Sequence, residues 1–201
     1  MKGTLPIVLY VDNDADDVFL MQRAVTLTDV EFCLCTAGGL QTAIDHLENE
    51  QLRIPSLVIV DYELDRGRAP DFLTWLRGRS QCAAIRAIVM SGRDDEGCVA
   101  RSYLAGAGSF LQKAAALDEL TRVVRAVGLC VASTPVTLEP LKALAGYRTC
   151  RPHELRVELD RHCGENTHLR KELTRLRAEL DIARAEAKES KRQYPYPGKR
   201  T

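Results

Sequence analysis

Residues 7–14 read IVLYVDND, five mainly apolar residues followed at once by three polar ones. An apolar run without alternation is typical of a strand buried on both faces, as the strands of parallel sheets are. Three later strand-like runs also end directly before a polar residue: 57–60 before Asp61, 85–90 before Ser91, and the shorter 109–112 before Lys113. The sequence therefore predicts at least four buried strands with polar residues at their carboxyl ends.

Amphipathic segments separate these strands. Apolar residues recur at helical spacing over five segments: 18–27, 40–47, 72–76, 94–106 and 117–127. A further short strand is expected at 32–36. Five strand–helix repeats between about residues 5 and 128 predict an α/β fold, a doubly wound five-stranded parallel sheet with right-handed crossovers.

The polar residues at the strand ends are candidates for a site. In open parallel sheets, ligands bind beyond the carboxyl ends of the strands, near the point where strand order reverses. The residues expected there are Asp12, Asn13, Asp61, Ser91 and Lys113. Oxygen ligands can hold Mg²⁺, a carboxylate can attack phosphorus, and hydroxyl and ammonium groups can stabilise phosphoryl oxygens. This set of residues indicates Mg²⁺-assisted phosphoryl transfer.

Residues 7–13, 57–61, 88–92 and 109–113 resemble the four signature blocks of bacterial two-component response-regulator receiver domains, in the same order and spacing. The resemblance covers about residues 5–128 and implies the flavodoxin-like receiver fold. The segment 16–20, DDVFL, is further similar to stand-alone regulators that serve phytochrome-type kinases.

The resemblance also implies individual roles. Asp61 is the phosphoacceptor, and Mg²⁺ is held by Asp12, Asn13, Asp61 and the backbone carbonyl of Glu63. Ser91 is the switch hydroxyl that acts in catalysis with Lys113, the phosphate-sensing lysine. Phe110 is either the switch aromatic or simply a core aromatic. Asp14, Asp16 and Asp17 are interpreted as helix caps and first-turn acids, not as ligands.

Three features depart from the family pattern. Asn13 stands where an aspartate is usual, so weaker Mg²⁺ binding is expected. Ala114 follows Lys113 where proline is common, and a cis bond there would cost about 2.5–4 kcal/mol, so the loop is strained or differently shaped. The loop after Asp61 lacks the usual Pro and Gly placement. These departures leave open an alternative, a degenerate receiver that acts as a dimeric scaffold.

Composition narrows the possible partners. Lys/Arg and Asp/Glu are equal in number at 28 each, and residues 151–201 carry 13 Lys/Arg against 9 Asp/Glu. An imbalance this small argues against a nucleic-acid partner, and no apolar run reaches membrane-spanning length. Seven cysteines without a Cys-x-x-Cys pair indicate free buried thiols and a cytoplasmic location.

A heptad pattern begins at Leu155. The positions expected to line a dimer seam are Leu155, Leu159, Asn166, Leu169, Leu173, Leu176 and Leu180. The g positions are glutamate and the e positions are mostly arginine, which pairs opposite charges only in a parallel, in-register homodimer. The segment 162–164 either controls the register of the two helices or acts as a hinge. His153 lies in a short sequence that is similar to the phosphoacceptor box of sensor histidine kinases.

These patterns divide the chain into a receiver domain over 1–130, a linker over 131–150, a parallel coiled-coil dimerisation helix over 151–192 and a disordered tail over 193–201. The predicted function is a phosphorelay response regulator without enzymatic or DNA-binding output. A sensor histidine kinase phosphorylates it, and output passes to an unknown downstream protein. A zipper-type DNA binder is disfavoured, because residues 139–153 contain too few basic residues.

Overall fold

The structure, a computed structural model, describes residues 4–93 and 95–150 together with Val157 and Arg161. The chain divides into two units, Met1–Arg156 and Val157–Thr201. In the second unit, Val157 and Arg161 are helical. Apart from these two residues, the predicted coiled coil over 151–192, with its dimerisation leucines, Asn166 and His162, lies outside the described residues, as do His153 and the tail over 193–201.

The first unit is built on a sheet whose central strands are the apolar runs of the sequence. Its parallel strands are β1 (Ile7–Val11), β2 (Cys33–Ala37), β3 (Leu57–Asp61), β6 (Arg86–Ser91) and β7 (Ser109–Gln112). Their order across the sheet is β2-β1-β3-β6-β7, so the strand order reverses between β1 and β3. β1, β3, β6 and β7 are therefore the predicted buried strands, and their carboxyl ends share one edge of the sheet.

Two helical layers cover the sheet, and successive side chains of each strand point to opposite layers. On one face, α1 (Ala15–Thr26) and α5 (Leu117–Ala132) pack over Val8, Tyr10 and Ile59. On the other face, α2 (Leu40–Glu48), α3 (Ala69–Arg77) and α4 (Glu96–Leu104) pack over the alternate residues, among them Leu9 and Val58. The α/β prediction is confirmed.

The sheet differs from the prediction at both edges. β2 is an edge strand, so Cys33 is exposed and Cys35 only partly buried, which corrects the expectation that both thiols are buried. At the opposite edge, the sheet has a sixth strand, β8 (Tyr147–Arg148), which pairs antiparallel with β7. The predicted five-stranded parallel sheet is corrected to six strands, one of them antiparallel.

The expectation of a linker over 131–150 is corrected as well. α5 continues to Ala132, and a 3₁₀ helix over Glu139–Ala143 places Leu141 in the core with 0% of its surface exposed. The sequence did not predict this 3₁₀ helix, because Pro135, Pro140 and Gly146 interrupt the regular spacing of apolar residues that indicates a helix or a strand. Gly146 is needed at the crossing with β7, because a Cβ there would lie 3.0 Å from the carbonyl oxygen of Gln112.

The loop after Asp61 forms a small hairpin of β4 (Glu63–Leu64) and β5 (Gly67–Arg68). Gly67 has φ 136°, a backbone conformation that favours glycine, and a Cβ there would lie 2.8 Å from Cδ1 of Leu40. The loop that lacks the usual Pro and Gly placement is therefore this short hairpin. No helix in the part of the chain that the structure describes is long and apolar enough to cross a membrane.

Candidate functional site

The structure brings three of the candidate residues into direct contact at the carboxyl edge of the sheet. Asp12 directly follows β1, Asp61 ends β3, and Lys113 directly follows β7. The Nζ atom of Lys113 lies 2.9 Å from Oδ2 of Asp12 and 2.9 Å from Oδ1 of Asp61. Parallel pairing of the intervening strands accounts for this convergence of residues about 50 and 100 positions apart.

Lys113 also reaches a residue that the sequence did not assign to the site. Its Nζ atom lies 2.6 Å from Oδ2 of Asp17, in the first turn of α1. Burial alone would lower the pKa of Lys113, but hydrogen bonds to Asp17, Asp12 and Asp61 raise it above its usual value. The lysine is therefore a permanent cation with three carboxylate partners.

Asp61 is held from two sides. Its Oδ1 pairs with Lys113, and its Oδ2 accepts a hydrogen bond of 3.1 Å from the backbone N–H of Glu63. The side chain is 11% exposed, and burial raises the pKa of this carboxyl while the hydrogen bond from Lys113 lowers it in part. The Asp61 carboxylate is therefore oriented by two donors, and a small part of its side chain remains exposed to solvent.

Asp12 is positioned by its own strand. The hydroxyl of Tyr10 donates to Oδ2 of Asp12 at 2.6 Å, and the backbone N–H of Asp14 donates to Oδ1 at 3.0 Å. Burial, together with this hydrogen bond, raises the pKa of Tyr10 well above its usual value, so the phenol stays protonated and donates. Asp12 and Tyr10 point the same way because they are two residues apart in extended chain.

The two polar atoms of the Asn13 amide have different surroundings. Its Nδ2 donates to Oδ1 of Asp65 in the loop between β4 and β5, at 2.8 Å. Its Oδ1 is buried and has no hydrogen-bond partner among the described residues. An unpaired buried amide oxygen is costly, so a bound cation or water would satisfy it.

The donor set fits a hard cation such as Mg²⁺, which prefers oxygen ligands. Two carboxylates, Asp12 and Asp61, meet at Lys113, and the amide oxygen of Asn13, the residue after Asp12, is buried with no hydrogen-bond partner among the described residues. Within the described residues, no group of three or more His, Cys, Asp or Glu is placed to hold a metal. A metal site here would therefore need amide and backbone oxygens in addition to the carboxylates.

Ser91 ends β6 beside Asp61, and 3% of its surface is exposed. Its Oγ accepts a hydrogen bond of 3.0 Å from the backbone N–H of Arg93. The side chain of Arg93 in turn reaches Oε1 of Glu63 at 3.1 Å and Oδ2 of Asp95 at 3.8 Å. The loops that follow Asp61 and Ser91 are thereby joined by an ion pair.

Phe110 and Ala114 flank the end of β7. Phe110 is fully buried in the core cluster beneath α3 and α4. This position is compatible both with a switch aromatic and with a simple core aromatic. Among the described residues, the cis peptide bond is Thr134–Pro135, so the Lys113–Ala114 bond is trans. The backbone N–H of Lys113 donates to the carbonyl of Ser91 at 2.8 Å, which continues the ladder and fixes the lysine.

The capping interpretation of the early acidic residues is correct for Asp14, whose side chain accepts from the backbone N–H groups of Asp16 and Asp17. It is incomplete for Asp17, which also binds Lys113. Tyr10 and Asp65 were not predicted at all. Period-two spacing from Asp12 could have indicated Tyr10, whereas Asp65 comes from a hairpin that the sequence pattern did not predict.

A comparison with known proteins identifies the family of this chain. Residues 8–125 match the response regulator receiver domain family, which is more than half of the chain. The chain belongs to the response regulator receiver family. No curated protein sequence matches it.

Solved structures with the same fold include regulators linked to phytochromes. The phosphorylated cyanobacterial phytochrome response regulator RcpA has 21% identity and a TM-score of 0.59, covering 65% of this chain and 96% of that one. The Mn²⁺-bound form of response regulator Rcp1 has 21% identity and a TM-score of 0.55, covering 61% and 91%. RPA3017, from red light signalling in R. palustris, has 16% identity and a TM-score of 0.56, covering 61% and 91%. These likenesses establish the fold.

Proposed function

We propose that this protein is a phosphorelay response regulator in which Asp61 accepts a phosphoryl group from a sensor histidine kinase. The observation that carries the proposal is the Asp61 carboxylate, oriented by Lys113 and the backbone N–H of Glu63 at the carboxyl edge of the sheet. A carboxylate fixed in this way is oriented to act as a nucleophile.

The transfer is a displacement at phosphorus. An oxygen of Asp61 forms a new O–P bond, while the P–N bond to the kinase histidine breaks and its electron pair returns to the imidazole. Negative charge on the phosphoryl oxygens is then stabilised by Lys113 and by the hydroxyl of Ser91, which lies at the neighbouring strand end. Serine and lysine thus act on the transferred group, and Asp61 carries it.

Mg²⁺ would be held by Asp12, Asn13, Asp61 and the backbone carbonyl of Glu63, and when bound it neutralises charge on the phosphoryl oxygens. The unpaired Oδ1 of Asn13 supports its inclusion in this set. The Mn²⁺-bound Rcp1 structure and the phosphorylated RcpA structure give the same proposal further support by analogy. Asp12 contributes charge, and Tyr10 keeps it oriented.

The output is proposed to be contact with a downstream protein, with no enzymatic or DNA-binding step. Phosphorylation would act on a cytoplasmic homodimer held by the parallel coiled coil predicted for 151–192. Ser91 and Phe110 would carry the change of state away from Asp61, because Ser91 adjoins the site and Phe110 lies in β7 within the core.

A degenerate receiver that serves as a dimeric scaffold is the alternative function. The neutral Asn13 favours it, because this amide contributes no charge to metal binding and its Nδ2 is already engaged by Asp65. In that case, Lys113 would serve only to neutralise the buried carboxylates.

Labelling by a small phosphodonor separates the two functions. Incubation with acetyl phosphate and Mg²⁺ should add one acid-labile phosphoryl group, read by intact-mass spectrometry, and Asp61→Asn should abolish it. Asp45→Asn, at an exposed position in α2, is the matched control and should label like the wild type. Equal labelling of wild type and Asp61→Asn would exclude Asp61 as acceptor, and no labelling of the wild type would favour the scaffold.

A further inference from the structure

The hairpin after Asp61 brings a further carboxylate to the edge of the proposed metal site. Asp65 is the first of the two residues that join β4 to β5, and its Oδ1 accepts a hydrogen bond of 2.8 Å from Nδ2 of Asn13. Leu64, one residue earlier, is 8% exposed and packs in the core, and Gly67 has the positive φ that the end of this turn requires. The turn is therefore anchored on the domain, with Asp65 bound to Asn13.

This contact fixes the orientation of the Asn13 amide. A carboxylate accepts hydrogen bonds but cannot donate them, so only the nitrogen of the amide can bind Asp65. The amide oxygen lies on the other arm of the same planar group, where it is buried with no hydrogen-bond partner among the described residues. A flipped amide would set its oxygen against a carboxylate oxygen, two acceptors with no hydrogen between them, which is unfavourable.

The orientation matters for metal binding because a hard cation binds the oxygen of an amide and not its nitrogen. An asparagine that is free to flip offers its oxygen for only part of the time, and the apparent affinity of a site falls with the population of its competent state. An aspartate has two equivalent oxygens and needs no such control. Asn13 requires a partner that selects one orientation, and Asp65 is in the position to do so.

The charge of Asp65 acts in the same direction. A carboxylate that accepts a hydrogen bond from a metal ligand makes that ligand a stronger electron donor, as carboxylates do when they bind metal-ligating histidines. Asn13 is neutral, so polarisation of its amide by Asp65 replaces part of the charge that an aspartate at position 13 would bring.

We propose that Asp65 is a positioning residue for the metal site, an inference that rests on the proposed function. Asp65 holds the amide of Asn13 in the orientation that offers its oxygen to a divalent cation, and it polarises that oxygen through the amide nitrogen. The neutral residue and the acidic residue together take the place of one carboxylate ligand. In this arrangement, the neutral Asn13 is not by itself a sign that the receiver is degenerate.

Binding of Mn²⁺ to the full chain tests the role of Asp65. Mn²⁺ takes the same kinds of oxygen ligand as Mg²⁺, electron paramagnetic resonance measures the free ion, and competition then gives the affinity for Mg²⁺. Asp65→Ala should weaken the binding of both ions about tenfold, the lower end of the usual effect of removing the partner of a metal ligand. Unchanged or tighter binding in Asp65→Ala would overturn the proposal.

Two control variants address charge and the folding of the hairpin. Asp16→Ala removes an exposed carboxylate of α1 whose side chain, within the described part of the chain, makes no hydrogen bond to Asn13. Arg66→Ala changes the other residue of the same turn. Each should change the affinity less than twofold. A tenfold loss in either control would show that remote charge or hairpin conformation sets the affinity, and the proposed role of Asp65 would be wrong.

A double-mutant cycle isolates the positioning effect. In an Asn13→Asp background, the two oxygens of residue 13 are equivalent and its orientation no longer matters. Asp65→Ala should therefore weaken binding only about twofold there, through loss of an exposed charge. An equal loss in both backgrounds would mean that Asp65 acts by charge alone, which would reject the positioning role.

Failure of the metal site and failure of the role of Asp65 give different results. If the wild-type chain binds neither ion, or if Asp12→Asn leaves binding unchanged, the proposed metal site is wrong and this inference fails with it. If the wild type binds at this site and Asp65→Ala binds equally well, only the role of Asp65 is rejected.

Discussion

At the scale of single residues, the character of the site depends on how the two polar atoms of the Asn13 amide are paired. The amide nitrogen donates to Asp65, and the amide oxygen is buried with no hydrogen-bond partner among the described residues. An aspartate at this position would lose the contact to Asp65 and place two carboxylates side by side. Asparagine at position 13 therefore binds Asp65 without repulsion in the metal-free protein, but it supplies one negative charge fewer for binding the ion.

We expect Asn13→Asp to tighten Mg²⁺ binding and to lower stability without Mg²⁺. The added charge raises affinity for a hard cation, and repulsion from Asp65 destabilises only the metal-free protein. Isothermal titration gives the affinity, and thermal unfolding with and without Mg²⁺ gives the stability. Unchanged or weaker Mg²⁺ binding would mean that residue 13 does not face the ion.

Arg93 and Glu63 join the loops that follow Ser91 and Asp61, two residues beyond each. We expect this pair to shield a phosphoryl group on Asp61 from water, so that the phosphorylated state decays slowly and decays faster in Arg93→Ala. Mass spectrometry over time after removal of the phosphodonor measures the decay. Arg122→Ala, which breaks an exposed pair with Asp118 in α5, is the control. Decay in Arg93→Ala that is equal to or slower than wild type contradicts shielding.

At the scale of elements, the segment 133–150 is part of the receiver unit. The backbone N–H of Gln112 donates to the carbonyl of Gly146 at 2.8 Å, and the hydroxyl of Tyr103 donates to the carbonyl of Arg148 at 2.8 Å. The first contact holds the segment along β7 and the second ties β8 to α4, so the edge of β7 beside β8 is paired and not open to another chain. The segment covers the strand that carries Phe110 and leads into Lys113.

We expect Leu141→Ala to lower the free energy of unfolding by about 2–5 kcal/mol, the usual cost of a cavity at a fully buried leucine. Leu129→Ala in α5 removes the same atoms from a side chain that is 62% exposed, and it should change stability by less than about 0.5 kcal/mol. Urea unfolding monitored by circular dichroism compares the two. Equal, small effects would show that the 3₁₀ helix does not contribute to the core.

At the scale of the whole molecule, the charge pattern of the heptads predicts a parallel dimer. In a parallel, in-register coil, each d position faces its own copy. With the native cysteines replaced, Leu176→Cys should therefore form a symmetric disulfide readily, whereas Ala178→Cys, at an outward f position, should not. Non-reducing electrophoresis measures the cross-link, and sedimentation confirms the dimer.

Failure of Leu176→Cys to cross-link in a chain that still sediments as a dimer would make the parallel assignment wrong. Truncation after residue 150 preserves the segment that completes the receiver unit and should yield a monomer, or a weak dimer held only by receiver surfaces. A stable dimer of that truncated chain would place the main interface on the receiver surface instead of the heptads.

Much of the receiver could be predicted from local pattern. Residues 57–61 are apolar without alternation and end in Asp61, and a strand buried on both faces produces that pattern wherever it occurs. Because parallel strands share one edge for their carboxyl ends, the same pattern also predicts that Asp12, Asp61 and Lys113 lie close together. Periodicity and strand polarity are properties of short segments, so the sequence alone determines them.

Tertiary packing decided the remainder. Asp17 looks like an ordinary first-turn acid until the end of β7 brings Lys113 to 2.6 Å from it, and Asp65 reaches Asn13 only because the hairpin folds back. Likewise, the apolar residues of 133–150 show no helical or strand periodicity. This segment adopts regular structure because β8 pairs with the free edge of β7 and because Leu141 is buried in the core. Each of these contacts joins segments far apart in the chain, and its free energy depends on a partner that no local pattern contains.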